Sequence, residues 1–184
     1  MKLFDFNLIE NKYNETLKSK AWSNACEKFK KSKIILYYGH GGNLGVGDHA
    51  AIDVCRLTKG DKAGFSLGSS IASTSLANDE GYENLFKSWL DIHYKAFDKK
   101  KEICAIGITS SGKSKNFLNA LDFLEDREIN SIYFTATKLQ KNSNCHDEVF
   151  FDVKTNHEAE VLSLALTYDL VSASGYKCPN INKI

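Results

Sequence analysis

Apolar residues recur along the chain in two rhythms. Leu17, Ala21, Ala25 and Phe29 fall four residues apart, the spacing of one helical stripe, and predict an amphipathic helix over about Asn14 to Lys31. Short apolar runs at Lys33 to Tyr38, Ala63 to Leu67, Ile103 to Ile108, Ser131 to Ala136 and Glu148 to Val153 read as strands. Between and after them, Val46 to Leu57, Ser69 to Ala77, Tyr82 to Phe97, Ser114 to Asp126 and Asn156 to Ser172 read as helices. Strands alternating with helices predict an α/β fold with a parallel sheet covered on both faces. Ligands of such sheets sit outside the carboxyl ends of the strands, and loops 39–47 and 107–114 both fall on that edge.

Composition narrows the picture. Apolar residues make up 42% of 184, a globular level. A net charge of +1 gives no electrostatic footprint for nucleic acid or an anionic membrane surface. No apolar run approaches the roughly 20 residues of a membrane helix, and the start, Met1-Lys2-Leu3-Phe4-Asp5, lacks the apolar core of a secretory signal. One proline, at 179, and no Gly/Ser linker or repeat make a single domain over 1–184 the economical expectation. Five cysteines, an odd number without a C-x-x-C pair, suit a reducing, cytoplasmic setting. Cys145-His146-Asp147 follows Lys141, Asn142, Ser143 and Asn144 and reads as loop rather than as a metal or redox centre.

Two loops carry the candidate chemistry. Gly107-Ile108-Thr109-Ser110-Ser111-Gly112-Lys113-Ser114 leads from a predicted strand into a helix. Free backbone N–H groups and the positive end of a helix make such a turn a phosphate site, with Thr109, Ser110, Ser111 and Ser114 adding hydroxyls. The stretch also fits the nucleotide pattern G-x-x-x-x-G-K-S. A nucleotide loop, however, normally follows the first strand of its core, and here only two predicted strands remain downstream. No nucleotide is therefore expected. The other loop, Gly39-His40-Gly41-Gly42-Asn43-Leu44-Gly45-Val46-Gly47, has Leu44 where a dinucleotide fingerprint needs its third glycine. Just beyond it, His49 and Asp53 share a helical face at i, i+4, a spacing for proton transfer or a metal. Asn78-Asp79-Glu80-Gly81 places two acids at a turn, where Asp79 either caps a helix or meets a substrate.

Taken together, these segments resemble the sugar isomerase (SIS) domain family, and within it the phosphoheptose isomerases. That family has G-N-G-G-S after its first strand, where this chain has Gly39-His40-Gly41-Gly42-Asn43. It has a histidine followed four residues later by an acid, here His49 and Asp53. It has N-D-x-G, here Asn78-Asp79-Glu80-Gly81, and G-I-S-T-S-G-N-S, here Gly107 to Ser114. Order and spacing agree over about residues 33 to 136. The resemblance implies a flavodoxin-like three-layer αβα sandwich with a five-stranded parallel sheet, assembled as a homotetramer with active sites between subunits. It implies a phosphosugar whose phosphate is held by Thr109, Ser110, Ser111 and Ser114, with Asn43 and Asp79 contacting the sugar. It implies ketose–aldose isomerisation through an enediol, feeding surface-polysaccharide heptose synthesis. Asp53 would be the base, with His49 beside it and zinc held by the two in some members.

Two departures stand out. The family's acid is normally glutamate, one methylene longer than Asp53. Its last helix carries Q-E-x-H-x-x-x-x-H, whereas this chain has His157-Glu158-Ala159-Glu160 running on to Thr167-Tyr168. One alignment sets His157 at the glutamine and Ala165 at the second histidine; another shifts by a few residues. His157, Glu158 and Glu160 are candidate substitutes, with Glu158 taken as the catalytic one. The competing reading is a non-catalytic SIS module that binds a sugar phosphate or a protein partner.

Overall fold

The structure, a computed structural model, describes residues 3–139 and 145–180. The loop reading of Lys141 to Asn144 and the reading of Met1 and Lys2 fall outside these residues.

Five parallel strands are described: β1 (Ile34–Gly39), β2 (Ala63–Ser66), β3 (Ile103–Thr109), β4 (Asn130–Thr135) and β5 (His146–Phe150), in the order β2-β1-β3-β4-β5. Side chains alternate across this sheet. Ile35, Tyr37, Cys104, Ile106, Ile132 and Phe134 face one core, and Ile34, Leu36, Tyr38, Ile103, Ala105 and Tyr133 face the other. Because both faces are buried, the central strands read as unbroken apolar runs rather than as alternation.

The first core is closed by α1 (Phe6–Leu17), α2 (Lys20–Lys31), α3 (Gly42–Leu57) and α7 (Asn156–Ala173), and the second by α5 (Leu85–Ala96) and α6 (Lys115–Asp126). Between β2 and α5, α4 (Ser70–Glu80) buries none of its residues. This is the expected three-layer flavodoxin-like α/β arrangement.

Several boundaries differ from the sequence reading. The single helix expected over 14–31 is two helices, because Ser19 caps a new one: its Oγ accepts from the Trp22 N–H at 3.1 Å. β5 starts earlier than expected and takes in His146 and Asp147. Backbone pairing to Ser131 and Ile132 and a 2.6 Å ion pair from Lys28 to Asp147 hold them there. The loop reading of His146 and Asp147 is corrected accordingly, while Cys145 stays in the turn before β5. α3 also begins earlier, at Gly42. Only Gly41, at φ +53°, needs a glycine's left-handed backbone to turn from strand to helix.

Strand order explains where a ligand would go. From β1 the chain steps outward to β2, then crosses back over β1 to β3. The loops leaving β1 and β3 therefore diverge to opposite faces and open a crevice at the carboxyl edge.

Candidate functional site

That crevice is a cavity of about 830 Å³ walled by the two loops and by α7. From the β3 side come Thr109, Ser110, Ser111, Ser114, Lys115 and Asn116; from the β1 side come His40, Gly41, Gly42 and Asn43. Ser114 precedes α6, so the first-turn N–H groups of α6 open at the hydroxyl loop. The loop is shorter than the sequence pattern suggests. Gly107 lies inside β3, where an added Cβ would meet the rings of Tyr133 and Tyr38 at 2.8 and 2.9 Å. Lys113, the nucleotide-loop lysine by pattern, is exposed, and Lys115 lines the cavity instead.

Two amides in the wall mark the site. Asn43 is buried on the first turn of α3, and its Nδ2 donates to Ser110 Oγ at 3.4 Å, while its Oδ1 has no partner. Asn116, 2% exposed, accepts the Phe117 N–H with its Oδ1 and leaves Nδ2 unpartnered. A buried polar atom left unsatisfied costs about 1–3 kcal/mol. One spare acceptor and one spare donor beside a hydroxyl loop suit a ligand rich in hydroxyls and carrying an anion.

His40, given no role from the sequence, stands in the same wall with its ring 4.7 Å from Phe86. Burial lowers its pKa, with Asn116 partly opposing, so the imidazole is neutral at pH 7. Across the cavity, Glu160 of α7 lays its carboxylate over Gly42; a Cβ there would lie 2.3 Å from it. An anion at the start of α3 is favourably placed.

Glu158 is not brought to this cavity. Its carboxylate accepts from the N–H groups of Lys154 (3.1 Å) and Thr155 (3.0 Å), closing a capping box on α7, and from Asp5 (3.4 Å). Burial pushes its pKa up, but these backbone donors outweigh it and hold the group below the usual carboxylate range. Two residues along α7, about half a helical turn, separate the two acids: Glu158 faces the end of its own helix and Glu160 the ligand edge. Asp79 also lies elsewhere, exposed in the last turn of α4 and bonded to Ser75 and Asn78. It caps no following helix, and Tyr82 and Glu83 line the cavity in its place.

His49 and Asp53 come together further along α3. His49 Nε2 is 2.9 Å from Asp53 Oδ2, and Arg56 donates to Asp53 Oδ1 at 2.9 Å. Tyr168 of α7 closes the group, its hydroxyl 2.6 Å from His49 Nε2 and its ring edge-on to the imidazole. Burial and the Asp53 charge raise the Tyr168 pKa, so the phenol keeps its proton at neutral pH. These four side chains line a second cavity of about 410 Å³.

The donors do not fit zinc. Cys178 lines the same cavity, but among the described residues no third His, Cys, Asp or Glu stands close enough to share a metal ion with His49 and Asp53, and a guanidinium occupies the carboxylate edge a metal would need.

The two cavities are linked by a pair of helices. α3 and α7 touch at Gly42 and Glu160 and again at His49 and Tyr168, seven residues on along α3 and eight along α7, about 10–12 Å of helix. Tyr168 was missed, and Glu158 was preferred to Glu160, because the register of the last helix is not readable from spacing alone; the His49 contact fixes it.

No family model matches the chain. It is 34% identical over 134 residues to phosphoheptose isomerase 2 of Campylobacter jejuni, covering 71% of this chain and 61% of the relative. With a phosphoheptose isomerase of another Campylobacter jejuni strain it shares 30% identity over 142 residues, covering 68% and 73%. Against other relatives of that name the chain spans little more than half of their length. A solved phosphoheptose isomerase of Francisella tularensis superposes with a TM-score of 0.74 at 17% identity, covering 92% of this chain and 93% of that one. At that identity the likeness is one of fold. Among the described residues no helix is long and apolar enough to cross a membrane.

Proposed function

Because the chain belongs to the phosphoheptose isomerase family, we propose that it is an aldose–ketose isomerase acting on sedoheptulose 7-phosphate, in the synthesis of heptose for surface polysaccharide. The observation that carries this reading is the crevice between the β1 and β3 loops. Its hydroxyl loop at the start of α6 faces two amides with spare hydrogen-bonding atoms.

In this reading the phosphate rests on Thr109, Ser110, Ser111 and Ser114, and the hydroxyls of the open chain meet Asn43 and Asn116. The reacting end of the sugar is directed toward His49 and Asp53, which lie further along α3 than Asn43. Moving a proton between C1 and C2 requires a base beside both carbons, and Asp53, oriented by His49, takes that role. Residues 1–184 act as one SIS domain, a reading supported by two cores that share one sheet.

A homotetramer in the cytoplasm belongs to the same reading. It is supported by α4, which packs Ala72, Leu76 and Ala77 on the second core only partly buried and exposes Ile71, and by five free cysteines.

The test follows sedoheptulose 7-phosphate by NMR. Turnover is expected in the wild type and is lost in Asp53→Asn with ligand binding kept. Ser111→Ala is expected to weaken binding about 10–100-fold, the value of one hydrogen bond to a charged group. A wild type that binds the sugar phosphate without turning it over would sink the isomerase reading.

A further inference from the structure

We infer that Tyr168 is the second proton-transfer group of the isomerisation, completing a metal-free Asp53–His49–Tyr168 unit. The inference rests on the isomerase reading above. Its basis is geometric. The reaction needs two groups, one for the carbon proton and one for the oxygen protons. The α7 helix delivers no histidine to the second cavity; it delivers a phenol, 2.6 Å from His49 Nε2 and open to the same space as Asp53. The same imidazole nitrogen, Nε2, is 2.9 Å from the Asp53 carboxylate, so Asp53 and Tyr168 both stand within hydrogen-bond reach of one atom of His49. Arg56 on the far oxygen of Asp53 supplies the positive charge there, at an edge where a cation could otherwise sit. A phenol that keeps its proton at neutral pH is suited to protonating an enediolate oxygen, itself a weak acid's conjugate base.

The step balances without any added reactant. Asp53 takes a proton from C1 of the ketose while the C2 carbonyl electrons move onto O2, and O2 takes the phenolic proton of Tyr168. A neutral enediol and a phenolate result. The O1–H then returns its proton to the phenolate, the C1 carbonyl forms, and C2 recovers the proton from Asp53. Substrate and product are isomers, and both side chains end as they began. Tyr168 thereby does the work of the histidine that the last helix lacks.

The experiment compares full-length wild type with Tyr168→Phe and Tyr168→His, measuring kcat, thermal midpoint and binding of the unreactive alcohol sedoheptitol 7-phosphate. Tyr168→Phe is expected to lose at least about 100-fold in kcat, with alcohol binding and thermal midpoint unchanged. Tyr168→His, which restores a titratable group, is expected to recover part of the rate. Equal kcat in Tyr168→Phe, or a loss of kcat matched by loss of alcohol binding or of folding, overturns the inference and leaves the isomerase reading standing. A wild type that binds the alcohol, weakened in Ser111→Ala, yet turns over nothing removes the reading and the inference together.

Discussion

Gly64 on β2 makes a sharp test of how α3 is seated. A Cβ built there would lie 2.2 Å from the carbonyl oxygen of Ala51 and 2.9 Å from its carbonyl carbon and Cα. All three atoms are backbone in the middle of α3, so no side chain can swing aside. Reaching an ordinary contact requires the helix to retreat from the sheet by about 1 Å, and overpacking of this kind costs about 1–3 kcal/mol. For a chain of this size each kcal/mol lowers the thermal midpoint by about 2–4 °C, so Gly64→Ala is expected to melt about 2–12 °C below wild type. Ala51 lies between His49 and Asp53, so the same displacement moves both, and turnover should fall more steeply than stability. Gly42→Ala is the control. Its Cβ clash, at 2.3 Å, is with the carboxylate of Glu160, the far end of a flexible side chain that can turn away. Alanine is also the better helix former by about 1 kcal/mol, offsetting the lost carboxylate–helix contact of about 0.3–1 kcal/mol. Calorimetry or thermal circular dichroism would decide. If Gly64→Ala melts within 2 °C of wild type, or Gly42→Ala melts as low as Gly64→Ala, the packing argument is wrong.

Two other predictions concern the frame. Lys62 is 2% exposed, and its ammonium donates to the carbonyls of Phe29, Lys30 and Ser32 at the end of α2, while burial lowers its pKa. Lys62→Met strands those carbonyls and is expected to cost about 1–3 kcal/mol in urea denaturation; an unchanged midpoint would refute the capping role. Tyr13 donates to Asp169 at 2.6 Å, and burial together with that carboxylate pushes its pKa from 10.0 up to about 12. A raised pKa on an acid that is neutral when protonated means its stabilising contribution is full below pH 10 and is lost as pH rises toward 12. Tyr13→Phe should remove that part of the alkaline loss of stability, and identical pH–stability curves for the two proteins would count against the assignment.

Sequence and structure divided the work unevenly. Strand–helix alternation, the parallel sheet and the hydroxyl loop after β3 were legible because each depends on local pattern: apolar runs, a turn composition, a helix start. The pairing of His49 with Asp53 was legible for the same reason, since i, i+4 residues on a helix are neighbours whatever surrounds them. The break at Ser19 was missed because the apolar stripe continues across it and only the cap reveals two helices.

Tertiary structure alone decided which distant side chains meet. Thr155 and Glu158 form a capping box, a local pattern of i, i+3 spacing; that Glu160 meets the start of α3 follows instead from where the axis of α7 lies against α3, which long-range packing sets. Tyr168 pairs with His49 across 119 residues, and Asn43 reaches Ser110 across 67. His40 and Asn116 share a cavity because β1 and β3 are neighbours while their following helices leave to opposite faces. Such contacts are products of strand order, and strand order arises from burying both faces of one sheet at once, a condition on the whole chain that no window of sequence contains.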